Sequence, residues 1–203
     1  MCAEPVESAV FDNILIGVDG RAGGRDAIAL ATRLAAPDAN LTLAHVDAGP
    51  AFWWHHNVQE ERVFDRSASV LAAERERTGM PTAIVCVKAR APARGLHDLA
   101  TELAADLIVI GSSRRGLLGR IFLGDDARQS LDGAPCAVAV APHGYAETLA
   151  SPVEIGTGCV VTQESGRPFA IARELAGRSG RDLTQTRHTD RPRGRFLRSR
   201  TAR

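Results

Sequence analysis

Residues 107–127, LIVIGSSRRGLLGRIFLGDDA, predict both a core strand and the ligand loop that follows it. Four apolar residues run directly into Gly111, which is typical of a strand that is buried on both faces and ends in a tight turn. After a loop of Ser, Arg and Gly, Gly124 leads into Asp125 and Asp126, an acidic start that helices favour. A strand, a glycine-containing loop and a helix N-terminus in this order can present backbone N–H groups to a phosphate.

Two well-known phosphate loops do not fit this stretch. Gly111 and Gly116 have the outer spacing of a P-loop, but Leu117 and Leu118 stand where that loop needs Lys and Ser or Thr. No G-x-G-x-x-G follows a predicted strand, so the dinucleotide fingerprint is absent as well. The loop therefore belongs to another class.

Strands and helices alternate outward from this loop. Short apolar runs predict strands at 13–20 (with its turn), 41–46, 83–87, 107–110 and 136–141. Helical periodicity predicts helices at 23–36, 59–78 and 92–105, and a further one that ends near residue 131. This alternation predicts an α/β fold with a doubly wound, five-stranded parallel sheet. Ligands of such sheets bind beyond the carboxyl ends of the strands.

The loop and most of the predicted strands resemble the universal stress protein (UspA-like) family. The family signature is G-x-x-G, nine residues and then G-[ST], and Gly111 and Gly124 match its first and last glycines. Arg114 replaces the second glycine, and Asp125 replaces the Ser or Thr. The runs ILIGVDG, LTLAHV, ADLIVIGSSRRG and APCAVAVAP extend the resemblance over residues 11–142. It implies a Rossmann-like, adenine-nucleotide alpha-hydrolase-like fold with strand order 3-2-1-4-5.

The resemblance also implies where a nucleotide would bind. In ATP-binding members the contacts come from the acid after strand one, the Val that ends strand two, and the glycine loop. The matching positions, altered ones included, are Val18, Asp19, Val46, Ile110, Gly111, Arg114, Gly124 and Asp125. A carboxylate beside the phosphates and an Arg where backbone must approach closely predict weak or no ATP binding. No cofactor is expected to be required, and an ATP-binding stress switch of the same fold is the alternative.

No catalytic constellation is apparent. Asp19 could coordinate a metal on a nucleotide, or it could cap the turn after the first strand. Ser112 and Ser113 have no identifiable base and acid partners, so a hydrolase triad is not indicated. Asp125 and Asp126 suit a helix N-terminus better than paired catalysis, because neighbours on a helix do not face each other. We expect a binding or regulatory protein rather than an enzyme, and the resemblance implies a role in the stress response.

The histidines do not predict a metal site. Residues 53–56, Trp-Trp-His-His, lack further ligands at zinc spacing and are better explained as a Trp-anchored loop over the second helix, which could cover the cleft. His45 ends a core strand, where a structural role is expected. The four cysteines form no C-x-x-C pair and predict reduced thiols.

Composition and the N-terminus bear on location. The chain has 203 residues, a net charge of +1 and no apolar run as long as a membrane span, as in soluble globular proteins. MCAEPVESAV lacks the basic and apolar regions of a signal peptide, so a cytoplasmic location without membrane contact is expected.

Residues 155–177 partly repeat residues 14–36. IGTGCVVTQESGRPFAIARELAG aligns with ILIGVDGRAGGRDAIALATRLAA at a constant offset. We predict a linker at 143–152, a partial second UspA-like repeat of one strand and one helix at 153–184, and a disordered tail at 185–203. The tail holds six Arg in its last thirteen residues, so nucleic-acid or acidic-partner binding is expected only through it, as a second alternative function.

The fifth strand predicts the oligomeric state. The implied strand order places Cys136–Ala141 at a sheet edge, where an apolar strand invites pairing. In the family this strand pairs with its counterpart in a second domain, so we expect a homodimer through it.

Overall fold

The computed structural model describes residues 11–47, 58–79, 82–112, 132–147, 155–159, 166–178 and 183–187. The chain forms two compact units, the first spanning Phe11–Thr148 and the second including the described residues from Ile155 onward. Arg114, Gly124, Asp125, the predicted helix ending near residue 131 and the Trp-Trp-His-His stretch lie outside the described residues. No helix within the described ranges is long and apolar enough to cross a membrane.

The first unit alternates strands and helices as predicted. Its elements in chain order are β1 (Phe11–Gly17), α1 (Ala22–Leu34), β2 (Ala35–Asp47), α2 (Val58–Thr78), β3 (Thr82–Lys88), α3 (Pro92–Glu102), β4 (Leu107–Gly111) and β5 (Ala137–Ala141). One turn of 3-10 helix, Tyr145–Glu147, follows β5. The strands pair in the order β3-β2-β1-β4-β5, and every pairing is parallel. The predicted fold class and strand order are confirmed.

Apolar side chains project from both faces of the sheet. Leu15 and Ile108 belong to the core cluster that includes Leu96 and Leu99 of α3. Alternate residues of a strand point to opposite faces, so the wholly buried Ile16 and its neighbours face the other side, where α1 packs on β1 and β4 and α2 on β2 and β3. A helix layer on each face is the reason these strands carry near-continuous apolar runs.

Two element boundaries differ from the prediction by three or more residues. Strand β2 begins at Ala35 rather than residue 41, because Ala35 leaves helical geometry (ψ 142°) and pairs with Phe11 before the register shifts. Helix α3 ends at Glu102 rather than residue 105. There the N–H groups of Ala104 and Ala105 donate to the carbonyls of Thr101 and Ala100, the Schellman pattern that terminates helices.

The second unit is a β-α-β arrangement. Strand β6 (Ile155–Cys159), helix α4 (Gly166–Arg178) and strand β7 (Leu183–Arg187) follow one another, and β6 pairs with β7 in parallel. The predicted strand and helix are present. The prediction that no second strand follows is wrong, because β7 does. The prediction of disorder from residue 185 is wrong for residues 185–187, which belong to β7. Strand β7, LTQTR, has one apolar residue, and its pairing with β6 uses backbone N–H and C=O groups, so the sequence contains no apolar pattern that would predict it. Residues 188–203 lie outside the described part of the chain.

The linker predicted at 143–152 does not begin at residue 143. Residues 143–147 form a turn and the 3-10 helix that packs on α1, and they belong to the first unit. Asp26 of α1 accepts backbone hydrogen bonds from this segment, which accounts for its order.

Candidate functional site

The carboxyl ends of β1 and β4 lie side by side in the middle of the sheet, with Ile16 opposite Val109. This is where the strand order reverses, because the chain first builds β2 and β3 on one side of β1 and then β4 and β5 on the other. Doubly wound sheets bind their ligands at such a point. The structure places five predicted site residues at the carboxyl ends of β1, β2 and β4: Val18, Asp19, Val46, Ile110 and Gly111. The other three lie outside the described residues.

Val18 continues the strand pairing beyond the end of β1. It is buried, its N–H donates to the Ala44 carbonyl at 2.8 Å, and its own carbonyl lies 2.8 Å from His45 Nδ1. Because a carbonyl oxygen only accepts, His45 Nδ1 carries the proton of this hydrogen bond. The described contact gives His45 the structural role expected for it: it joins the ends of β1 and β2.

Asp19 forms the turn between β1 and α1. Its Oδ1 accepts the backbone N–H of Arg21, the N-cap residue of α1, at 2.9 Å. The Arg21 guanidinium lies 3.8 Å from Oδ2, and the Asp19 side chain is 55% exposed. Gly20 between them has a φ of 75°, the left-handed region in which a side chain is strained. The structure supports the turn role of the two roles considered for Asp19.

Gly111 is required by a close approach of α1. A Cβ at this position would overlap the Gly23 carbonyl oxygen and would lie 2.5 Å from the Gly23 carbonyl carbon. Gly24 also packs closely, though less so, since a Cβ there would lie 3.0 Å from the side-chain atom Cγ1 of Val18. The first turn of α1 therefore rests directly on the ends of β1 and β4.

Sequence reasoning missed this pair of glycines. Adjacent glycines are costly inside a helix, at roughly 1 kcal/mol each relative to Ala, so their presence at residues 23 and 24 was a usable signal of close packing.

Val46 and Ile110 make the carboxyl edge of the sheet, where β2 and β4 end, apolar. Val46 is half-buried against the start of α3, where a Cβ on Gly95 would lie 2.6 Å from its Cγ1. Ile110 joins the same core cluster. Helices α1 and α3 both begin at this edge, and neither has an acidic residue in its first turn. At the start of α1 the negative charge comes from Asp19, which accepts the N–H of the N-cap residue Arg21. Apolar side chains beside two helix N-termini suit a ligand that has both a flat apolar part and an anionic part.

The described residues contain no group of three or more side chains that could hold a metal ion. Cys86 and Cys136 are half-buried free thiols, and burial raises the pKa of both. For Cys136, the nearby charge of Asp106 raises the pKa further. A raised pKa keeps a thiol protonated at neutral pH and lowers its reactivity.

Comparison with known proteins agrees with this geometry. The sequence model of the Universal stress protein family matches residues 11–142. A protein of Thermus aquaticus, described as the universal stress protein in the QAH/OAS sulfhydrylase 3′ region, is 30% identical over 133 residues, which cover 64% of this chain and 97% of that protein.

Solved structures show the same fold. A universal stress protein in complex with cAMP superposes with a TM-score of 0.53 at 18% identity, covering 66% of this chain and 99% of its own. A protein of unknown function from Pseudomonas aeruginosa PAO1 superposes with a TM-score of 0.56 at 16% identity, covering 88% of this chain and 61% of its own. From the match over residues 11–142, the parallel sheet and the Thermus relative, we conclude that the chain belongs to the universal stress protein family.

Proposed function

We propose that this protein acts in the stress response by binding rather than by catalysis, and that its cleft holds ATP weakly. Family membership implies the stress-response role. The observation that carries the weak-binding proposal is the pair of replacements in the loop, Arg114 for a glycine and Asp125 for a Ser or Thr.

The charge of Asp125 opposes a polyphosphate. Two unit negative charges about 4 Å apart repel by roughly 4 kcal/mol at an effective dielectric near 20. A helix N-terminus returns only about 0.3–1 kcal/mol for an anion near it. By the family pattern, Arg114 stands where a glycine lets the backbone approach a phosphate, so its charge would offset part of the repulsion but its long side chain would hinder that approach. Asp19 adds a half-exposed carboxylate at the same end of the sheet.

A ligand with less negative charge meets less of this repulsion. One structural relative was solved in complex with cAMP, which has a single phosphate charge. If adenine and ribose rest on the apolar side chains at the ends of β2 and β4, cAMP keeps those contacts and avoids most of the repulsion. We therefore expect this chain to bind cAMP at least as tightly as ATP.

Isothermal titration calorimetry of the full chain with MgATP and with cAMP tests the proposal. The double variant Arg114→Gly, Asp125→Ser should bind ATP at least about tenfold more tightly than the unmodified chain, a gain of about 1.4 kcal/mol. Asp38→Ser is the matched control, because it removes an exposed carboxylate near the start of β2, at the opposite end of the sheet. Micromolar ATP binding by the unmodified chain, or a double variant no tighter than the control, would contradict the weak-binding proposal.

A further inference from the structure

The chain turns back on α1 after β5 before it continues towards the second unit. We call residues 142–147 the strap. The backbone N–H groups of Gly144 and Ala146 donate to Oδ2 and Oδ1 of Asp26, at 2.9 and 2.8 Å. The Asp26 side chain is only 4% exposed, so one buried carboxylate holds two points of the strap. Hydrogen bonds to a charged acceptor are stronger than neutral ones.

Two further contacts join the strap to the same helix. The Arg33 guanidinium lies over the Tyr145 ring, 5.2 Å from its centre, and Nη1 is 3.4 Å from the Tyr145 hydroxyl. His143 Nδ1 lies 3.7 Å from Asp26 Oδ2, an ion pair whenever the imidazole is protonated. All six strap residues are exposed or half-buried. Polar contacts with α1 therefore hold the strap, rather than a buried apolar anchor of its own.

The same turn of α1 contacts the candidate site. Gly23 lies against Gly111 and Gly24 against Val18, and Asp26 follows within one helical turn. A helix turn moves as a unit, because its backbone hydrogen bonds fix its residues relative to one another. A shift of α1 at the end of β4 must therefore be felt at the carboxylate that holds the strap.

We propose that the strap is a conformational latch. Asp26 holds it closed, and the first turns of α1 couple it to the candidate site. The latch opens by losing a few polar contacts while the sheet stays folded, the kind of local opening that segments with few buried apolar contacts undergo. Opening releases residues 142–147 from α1. A change at the candidate site reaches the strap through α1. The latch does not depend on which ligand the candidate site binds. Its test is therefore independent of the test of the proposed function.

Fluorine NMR reads the latch directly, because Tyr145 is the single tyrosine of the chain. With 3-fluorotyrosine incorporated, the closed strap gives a resonance displaced from that of the free peptide PHGYAE. Asp26→Ala should move the resonance to the peptide position and speed amide exchange at Gly144 and Ala146 at least about tenfold. Exchange at Leu15 and Ile16, in the centre of the sheet, should be unchanged.

Two further variants make the test specific. Asp98→Ala removes an exposed helix carboxylate that pairs with Arg94, and it should leave the Tyr145 resonance in place. Ala146→Pro keeps Asp26 but removes one donor, and it should shift the resonance towards the peptide position. An unchanged resonance in Asp26→Ala, or loss of protection at Leu15 together with the strap, would overturn the latch.

Coupling to the candidate site is tested with substitutions at the carboxyl end of the sheet. Gly111→Ala pushes against Gly23 and should shift the Tyr145 resonance towards the open position. Gly95→Ala is the matched control, because it crowds the same end of the sheet through Val46 and Ala89 without touching α1. Equal shifts in the two variants, or none in either, would refute the coupling. Global unfolding of Gly111→Ala would also refute it, since the sheet is meant to survive the opening.

Discussion

Replacing Gly111 by Ala measures how firmly α1 is packed against the end of β4. The new Cβ would overlap the Gly23 carbonyl oxygen and lie 2.5 and 2.7 Å from the Gly23 carbonyl carbon and Cα. These atoms are backbone, so no rotamer change relieves the clash, and the first turn of α1 has to move. Overpacking of this kind typically costs about 1–3 kcal/mol, and we expect about 3 kcal/mol here. For a chain of this size that corresponds to a fall in Tm of roughly 6–12 °C.

Thermal and urea unfolding followed by circular dichroism would measure the loss, with Gly17→Ala as the matched control. A Cβ at Gly17 meets only side-chain atoms, Cγ2 of Ile110 at 3.2 Å and Cδ1 of Leu96 at 3.3 Å, which can yield. Neither glycine has a positive φ, so the two substitutions differ in packing and not in backbone strain. We expect Gly17→Ala to cost less than about 1 kcal/mol. If Gly111→Ala costs no more than Gly17→Ala, the close approach of α1 is not what requires this glycine.

Two other substitutions and one truncation test the structure of the first unit. Ala104 closes α3 at a φ of 49°, so Ala104→Gly should raise the free energy of unfolding by about 1 kcal/mol in urea titrations, and an unchanged or lower value would contradict the strained cap. Strand β5 lies at the sheet edge, so Val138→Lys should convert a dimer to a folded monomer in light scattering; an unmodified chain that is monomeric at tens of micromolar would refute the dimer. Ending the chain after Thr148 should change the Tm of the first unit by less than about 2 °C, and a larger fall would show that the second unit stabilises it.

The sequence predicted the strands of the first unit well because each is a short apolar run buried on two faces. The order of those strands came from the family resemblance, since periodicity contains no information about neighbours. The errors fall where local signals mislead. Pro37 and Asp38 resemble a loop, yet they lie within β2, at the register shift between Phe11 and Asn13. The turn that terminates helix α3 has an alanine, Ala104, at its left-handed position, where a glycine would have marked the end of the helix.

The sequence places the candidate site residues at the ends of strands, but it does not predict the contact between Asp26 and the strap, because the two are far apart along the chain. Val18, Asp19 and Gly111 adjoin strand ends, so a strand prediction places them together at one edge. Asp26 meets the strap across 118 and 120 residues, and nothing near Asp26 in the sequence signals a partner. Strand β7 was missed for a related reason. Its backbone pairs with β6, and backbone pairing leaves no hydrophobic pattern in a polar segment such as LTQTR.

The loop signature contains one position that the packing of the fold requires, Gly111, and two that bear on the ligand, 114 and 125. Gly111 is needed for α1 to reach the end of β4, and that need exists whether or not a nucleotide is present. A match at this glycine therefore reports the fold and says little about the ligand. Arg114 and Asp125 stand where the family pattern has a glycine and a hydroxyl residue, the positions at which backbone and side chain would meet phosphate. We expect a chain that keeps the packing glycine but has other residues at both phosphate positions to retain the fold and to prefer ligands with less charge than a polyphosphate. Nucleotide affinity in this protein should therefore respond to changes at 114 and 125, and stability to a change at 111.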